Sequence, residues 1–269
     1  MANAGSSPLV SIITIVYNGE RHVEQAILSV LNQSYKNIEY IIIDGGSKDS
    51  TVLLIKRYED RLSYWCSEKD EGISHAFNKG LKKATGSIIG FINADDWYEP
   101  DTVELAVKHI TGQDILYGDL CYWQNDRKLY IQKGNHNHLN LEMSINHPTV
   151  FIRKRCYDTF GFFDETLACA MDYELLLRLK LRGCTFRHIP QVMANMRLEG
   201  LSDKLWYTAC KETLSVKNRY FKHRSITNTL YFFKQASAII LGRMLRKSGL
   251  AKFVKFYRTR FSLLKKQYD

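Results

Sequence analysis

Ser87 to Asp101 reads SIIGFINADDWYEPD, and it joins the two features that decide the fold. Ile88-Ile89-Gly90-Phe91-Ile92 is apolar without alternation, the pattern of a strand covered on both faces of a parallel sheet. The chain then turns polar within a few residues, at Asn93, Asp95 and Asp96. Pro100 with Asp101 is expected to open a helix, because proline suits the first helical position. Open α/β sheets bind ligands at the carboxyl ends of their strands, which is where these acids fall. Adjacent carboxylates repel unless a cation or donors compensate them, and a hard divalent cation carrying a substrate phosphate would do so. The competing reading is a solvated turn with a helix cap, since Asp is common in both.

Upstream, Leu9 to Tyr17 (LVSIITIVY) is a second nearly continuous apolar run, read as strand one, with Asn18-Gly19 as its turn. Glu20 to Asn32 carries Val23, Ala26, Ile27, Val30 and Leu31 at helical spacing. Strand two, Glu39 to Ile43, runs into Asp44-Gly45-Gly46-Ser47, and Ser47 or Asp49 is placed to cap a helix from Ser50 to Tyr58. Leu62 to Ser67 is a weaker third strand, followed by a helix from Ile73 to Ala84. Such βα repetition predicts a parallel sheet with right-handed crossovers. Asp44 and Asp95 then end strands on one edge of it, although an Asx-turn would also explain Asp44. The phosphate-binding fingerprints GxGxxG and GxxxxGK[ST] are absent, which argues against a dinucleotide enzyme and a P-loop kinase.

Downstream, a helix to about Ile110 precedes a buried strand, Asp114 to Asp119, and a loosely alternating stretch, Cys121 to Ile131, that suits an antiparallel excursion. Of His136, His138 and His147, the first two read as solvated loop residues. His147, just before Pro148 and a strand from Thr149 to Arg153, is the metal-ligand candidate, with a hydrogen-bonded structural imidazole as its alternative. Ala170 to Leu179 is a strong helix with Asp172 in its first turn, where a carboxylate either complements the dipole or projects toward a cleft. Phe186 to Arg197 reads as one more strand, interrupted at Pro190.

With 269 residues, 45% of them hydrophobic, the chain can bury a full core, as one domain or one domain with an appendage. Six scattered cysteines suggest neither a zinc site nor a disulfide framework, so a reducing compartment fits. MANAGSSPLV lacks the character of a signal peptide and no run of about 18 apolar residues occurs, so the chain is expected to be cytosolic and non-spanning. The net charge of +10 is uneven: residues 204–269 carry +14 and residues 1–203 carry −4. That asymmetry points to a near-neutral body with one basic contact segment rather than a nucleic-acid-binding surface, and no reader motif is present.

SIITIVYNG, IEYIIIDGGSKDST, SEKDEGISHAFNKGLKKATGSIIGFINADDWYEPD, NHPTVFIR and GFFDETLACAMDYELLLRL, in this order, resemble the family 2 inverting glycosyltransferases with the GT-A fold, especially bacterial polysaccharide-building members. The likeness covers roughly residues 9–200. It implies a nucleotide-sugar donor and Mn²⁺ or Mg²⁺. By matching position Asp44 would hydrogen-bond the base with Tyr17 and Asn18 beside the uridine, and Asp70, Asn78 and Lys79 would line the donor pocket. Asn93-Ala94-Asp95 takes the place of the family's DxD, with Asn93 at the ribose position, Asp95 as metal ligand and Asp96 its neighbour. Asp172 takes the place of the catalytic base, with Met171 where an acid is usual.

The sequence therefore implies an α/β, GT-A, Rossmann-like, mostly parallel sheet over residues 1–200 and a basic amphipathic helical extension over residues 201–269. The implied activity is metal-dependent inverting transfer, from a UDP-sugar to a lipid-linked or oligosaccharide acceptor of a bacterial surface polysaccharide such as capsule or O-antigen. A catalytically silent nucleotide-sugar or glycan-binding module is the alternative. The basic helices are expected to hold the protein peripherally on the anionic inner face of the cell membrane.

Overall fold

Alternate side chains of the first four strands serve opposite cores, which is why those strands show no polar face. The computed structural model describes residues 7–198, 205–248, 250 and 266–268. In it β1 (Val10–Val16), β2 (Ile38–Asp44), β3 (Tyr64–Ser67) and β4 (Ile88–Phe91) are parallel, in the order β3-β2-β1-β4. Ile13, Ile41, Ile43, Ile89 and Phe91 join the core of one face, with Phe77 and Leu81 of α3 (Ile73–Lys83). Ile12, Tyr40, Ile42 and Ile88 join the other, with α1 (Val23–Leu31) and Ile55 of α2 (Thr51–Lys56). A sheet covered on both sides reads as continuous apolar runs.

Past the Asn93–Asp96 turn comes a strand that the sequence reading treated as turn, β5 (Asp96–Tyr98). Three residues are too few to show a period. Helix α4 (Thr102–His109) begins later than expected, leaving Pro100 outside it. Asp101, at the N-cap, makes no side-chain cap bond; buried Gln33 supplies one instead, its Oε1 accepting from Val103 N at 2.9 Å.

The sheet then turns mixed. β6 (Ile115–Gln124) runs longer than Asp119 and pairs with β7 (Arg127–Gln132) through Asn125 and Asp126, both at positive φ, the hairpin turn whose twist matches its strands. β8 (Phe151–Arg153) lies antiparallel between β4 and β6, ahead of α5 (Lys154–Phe160). After α6 (Met171–Leu181), β9 (Phe186–Arg197) runs parallel to β6 and antiparallel to β5. Its register slips between His188 and Val192, a bulge that accommodates Pro190, which has no N–H for the ladder. A short β10 (Lys266–Tyr268) adds to the edge at β7.

The boundary expected at residue 200 cuts through shared packing. In α7 (Trp206–Tyr220), Val216 is fully buried in the same core as Leu175, Leu176 and Leu177 of α6. Helix α8 (Ser225–Lys247) docks through Tyr231, whose hydroxyl donates to Glu142 Oε2 at 2.7 Å, and Gln235, which donates to the same atom at 3.0 Å. The sequence of the expected extension also suggests a second basic helix from Phe253 to Lys265 after a break at Gly249, and this part lies outside the described residues.

Candidate active site

Loops after β1, β2 and β3 are laced into one surface. Asn18, at φ 50°, donates its N–H to Ser47 Oγ at 2.7 Å and accepts from Lys48 N at 2.9 Å; Gly19 N donates to Thr51 Oγ1 at 2.8 Å. Asp44 is fully buried. Its Oδ2 accepts from Gly46 N, Ser47 N and Ser67 Oγ at 3.1, 2.9 and 2.5 Å, and its Oδ1 from Ser47 Oγ at 2.5 Å. A carboxylate has about four lone-pair sites, so these donors nearly saturate it and it holds the glycine loop. Beside that loop, a β-carbon on Gly45 would meet Asp70 Oδ2 at 3.0 Å and Tyr17 at 3.5 Å. Gly45 thus leaves a slot between Asp70 and the exposed Tyr17 ring.

Lys79 closes the slot's far end. Its ammonium lies 2.7 Å from Asp70 Oδ1 and 2.7 Å from Glu68 Oε1. Burial works against the charge, but the two acids outweigh it and its pKa is raised. Asn78, one residue earlier, is turned about 100° around α3 and does not join the slot. Its amide is spent on Phe163 N, Phe163 O and Glu165 Oε1 at 3.0, 3.0 and 2.7 Å.

The acid turn abuts the same surface, since a β-carbon on Gly19 would lie 3.4 Å from Ala94 Cβ. Asp95 is half-buried, and its carbonyl accepts from Arg197 Nη1 at 2.8 Å. That guanidinium also stacks over Trp97, 4.5 Å from the ring centroid. Asp96 is buried, with Asn93 Nδ2 3.4 Å from its Oδ2 and no partner for Oδ1. Burial first, and the Asp95 charge second, push the Asp96 carboxyl well above the usual range. An unsatisfied buried acceptor costs about 1–3 kcal/mol, more if charged. This turn is therefore built for a proton or a cation.

On the other side, Asp172 heads α6, its Oδ1 accepting from Tyr173 N at 2.7 Å, and His147, which a 3-10 turn ahead of β8 supplies, lies within its electrostatic reach. Asp172 keeps partial solvent exposure while protein surrounds it on most sides. Burial pushes its carboxyl up, and His147 pulls it part of the way back. Burial lowers the His147 pKa, and Asp172 opposes that shift. The imidazole also sits among Phe77, Phe91 and Phe163, with ring centroids 5.5, 5.6 and 6.0 Å away. Tyr122 of β6 connects the two halves: burial first, then Tyr130, Asp96 and Asp172 all suppress its ionisation. Asp96 and Asp172 thus both act on one hydroxyl.

The family model described as glycosyl transferase family 2 matches residues 11–175. This chain belongs to glycosyltransferase family 2. It is 33% identical over 198 residues to an uncharacterised glycosyltransferase of Rickettsia typhi, covering 68% of this chain and 62% of that one. Over 229 residues it is 29% identical to a chondroitin synthase of Escherichia coli, covering 80% of this chain and 32% of that one. Among solved structures, S. aureus TarS in complex with UDP-GlcNAc superposes with a TM-score of 0.62 at 18% identity, over 95% of this chain and 76% of that one. The mannosyltransferase PcManGT from Pyrobaculum calidifontis, in complex with GDP-Man and Mn²⁺, gives 0.67 at 17%, over 94% and 83%. The fold is GT-A.

In this family 2 chain the donor set suits a divalent cation of one kind. Among the described residues no three His, Cys, Asp or Glu side chains group where they could hold a metal ion. Asp95, with the orphaned Asp96 oxygen behind it, fits Mg²⁺ or Mn²⁺, ions bound through one or two carboxylates plus substrate phosphates and water. Asp172 is the charged group that acts on His147. The sequence reading missed Arg197, Tyr122 and Glu212. The first two arrive through the β5–β9 and β6–β9 pairings, which have no local signature, and Glu212 through the docking of α7.

Proposed function

We propose that this family 2 glycosyltransferase transfers a sugar, with inversion, from a nucleotide sugar to a glycan hydroxyl. The base would lie in the Gly45 slot between Tyr17 and Asp70, with Asn18 and Asp44 shaping the loop and Lys79 fixing Asp70. Asn93 would face the ribose, and Asp95, with Asp96 behind it, would hold Mn²⁺ or Mg²⁺, whose contribution when bound is to neutralise the departing diphosphate. Asn78 supports the site from behind. The acceptor oxygen attacks the anomeric carbon on the face away from the diphosphate. The sugar–phosphate bond breaks, its electron pair leaves with the nucleoside diphosphate, and the hydroxyl proton passes to Asp172. His147 would orient that carboxylate.

What supports this most is the pairing of two acids of different character that both act on Tyr122: Asp172, its carboxyl raised by burial at the head of α6, and the paired-acid turn with its orphaned Asp96 oxygen. A nucleotide-sugar binder needs the second feature and not the first. The test is a panel of UDP-, GDP- and dTDP-sugars, scored for metal-dependent hydrolysis and for protection from unfolding. Protection without turnover on any acceptor would favour the binding module; neither would reject both readings.

The acceptor we propose is a lipid-linked or oligosaccharide glycan of a bacterial surface polysaccharide, met at the inner face of the cell membrane. Among the described residues no helix is long and apolar enough to cross a membrane. Opposite its docked face, however, α8 exposes Ile226, Leu230, Phe233, Leu241 and Met244. The helix contains Lys234, Arg243, Arg246 and Lys247 and no acid. Two such faces would repel each other, whereas anionic head groups match both the charge and the apolar stripe.

A further inference from the structure

Helix α6 presents Asp172 one residue into its first turn, so the backbone just before it sets where that carboxylate points. Three N–H groups converge there, and a single side chain satisfies them. Glu212 of α7 accepts from Ala168 N at 3.0 Å through Oε1, and from Cys169 N at 2.8 Å and Ala170 N at 2.9 Å through Oε2. Such charge-assisted bonds are about twice as strong as neutral ones. Between Arg197 and Asp269, in a segment otherwise dominated by lysine and arginine, few acids are available, and this one bonds the backbone that leads into α6.

The same loop is gripped from two sides. From α3, Ser74 Oγ donates to Leu167 O at 2.7 Å, and Asn78 holds Phe163 and Glu165. From α7, Arg219 reaches Asp164 at 2.6 Å and the Tyr220 hydroxyl reaches Glu174 at 2.5 Å. Those two bonds fix the body of the loop and the helix; among the described residues Glu212 is the side chain that bonds the amides of residues 168–170, while Ala170 also packs in the core and accepts from Glu174 N. Cys169 lies in the field of both Glu212 and Asp172, so the two carboxylates flank one residue. Without Glu212 the three amides would lose their acceptor, and Asp172 would be the acid placed to turn toward them, away from His147.

We propose that Glu212 is a positioning residue, clamping residues 168–170 so that α6 presents Asp172 to the cleft and making sugar transfer depend on the first helix of the basic tail. The proposal rests on Asp172 being the base, and the test separates the two. Full-length wild type, Glu212→Gln, Glu212→Ala and Asp172→Asn would be compared for turnover of the nucleotide sugar on which wild type is most active, for UDP affinity, and for backbone amide exchange. Glu212→Ala should lower kcat about 10- to 100-fold, the scale of an ångström-sized misplacement, with donor KM and UDP affinity within about twofold of wild type. Glu212→Gln, which keeps one acceptor oxygen and the side-chain shape, should fall between and guards against a folding failure. Exchange at residues 168–173 should quicken in Glu212→Ala while β1 and β2 stay protected. Wild-type kcat in both Glu212 variants beside an inactive Asp172→Asn would overturn the clamp alone, as would unchanged exchange at residues 168–173 or a KM that rises as kcat falls. Full turnover by Asp172→Asn would remove the base assignment, and the clamp with it.

Discussion

Lys79 Nζ lies 2.7 Å from Asp70 Oδ1, and this contact fixes the other oxygen of Asp70 against Gly45. Glu68 shares the ammonium at the exposed end, where solvent screens the pair. The Asp70 contact is the more enclosed of the two, so it governs the geometry. It turns the acid into a wall of the slot that Tyr17 closes opposite.

Gly45→Ala tests whether that slot holds the nucleotide. The added methyl would meet the end of a flexible carboxylate at 3.0 Å, and no positive φ is involved, so the fold should tolerate it. Thermal stability should change little, within about ±0.5 kcal/mol. UDP affinity should fall about tenfold, roughly 1.4 kcal/mol. Titration of UDP into both proteins decides it: unchanged affinity places the base elsewhere.

Asp95→Ala should abolish metal-dependent donor binding and turnover while leaving the fold intact. The side chain is only half-buried, and the Arg197 contact to this residue runs through the backbone carbonyl and survives the substitution. Chelation should reproduce the defect in wild type, and Mn²⁺ or Mg²⁺ should restore wild type but not the variant. Activity near wild type in both the chelated protein and Asp95→Ala would end the metal assignment.

Asp172→Asn keeps the shape and removes the basicity. Donor affinity should persist while kcat falls by about two orders of magnitude or more. In wild type the working form is the carboxylate, and its pKa is raised by burial. Turnover should therefore be full above that raised pKa and fall as pH drops through it, an acid limb that lies above the ordinary carboxylate range near 4. A limb at or below the ordinary range, or lost binding with normal saturated turnover, would move Asp172 out of the base role.

What the sequence disclosed and what it hid follow one division. Ile88 to Phe91 and Ile38 to Asp44 announce themselves because both faces of each strand are buried, and the acids Asp44 and Asp95 come at or shortly after their carboxyl ends. Asp172 in the first turn of α6 was readable from helical periodicity. The pairing of Asp96–Tyr98 with residues almost one hundred positions away was not, and with it went Arg197. Asn78 and Lys79 match one motif in sequence, yet a helix points adjacent residues in different directions, so only Lys79 reaches the slot. Charge counting set the whole tail, residues 204–269, apart from the body. Val216 and Glu212 show instead that α7 is tied to the body by apolar packing and a carboxylate, neither of which net charge records.

The last prediction concerns α8. Ile226, Leu230, Phe233, Ile240 and Met244 recur at three- and four-residue intervals or their sum, and all are exposed, at 79, 65, 60, 43 and 61%. Covering such a stripe is favourable by about 25 cal/mol per Å² of apolar surface removed from water. Basic side chains add about 1 kcal/mol each near an anionic surface, and salt screens that part within a Debye length. Full-length protein should therefore sediment with vesicles containing anionic phospholipid, less with rising salt, and weakly with neutral vesicles. Leu230→Ser with Phe233→Ser should cut the binding without loss of fold, because both side chains are exposed, whereas truncation after residue 222 should abolish it and leave the Glu212 clamp in place. Donor hydrolysis in solution should survive both changes, since neither touches the cleft. Equal binding to neutral and anionic vesicles, or none to either, would show that the stripe faces something other than a charged lipid surface.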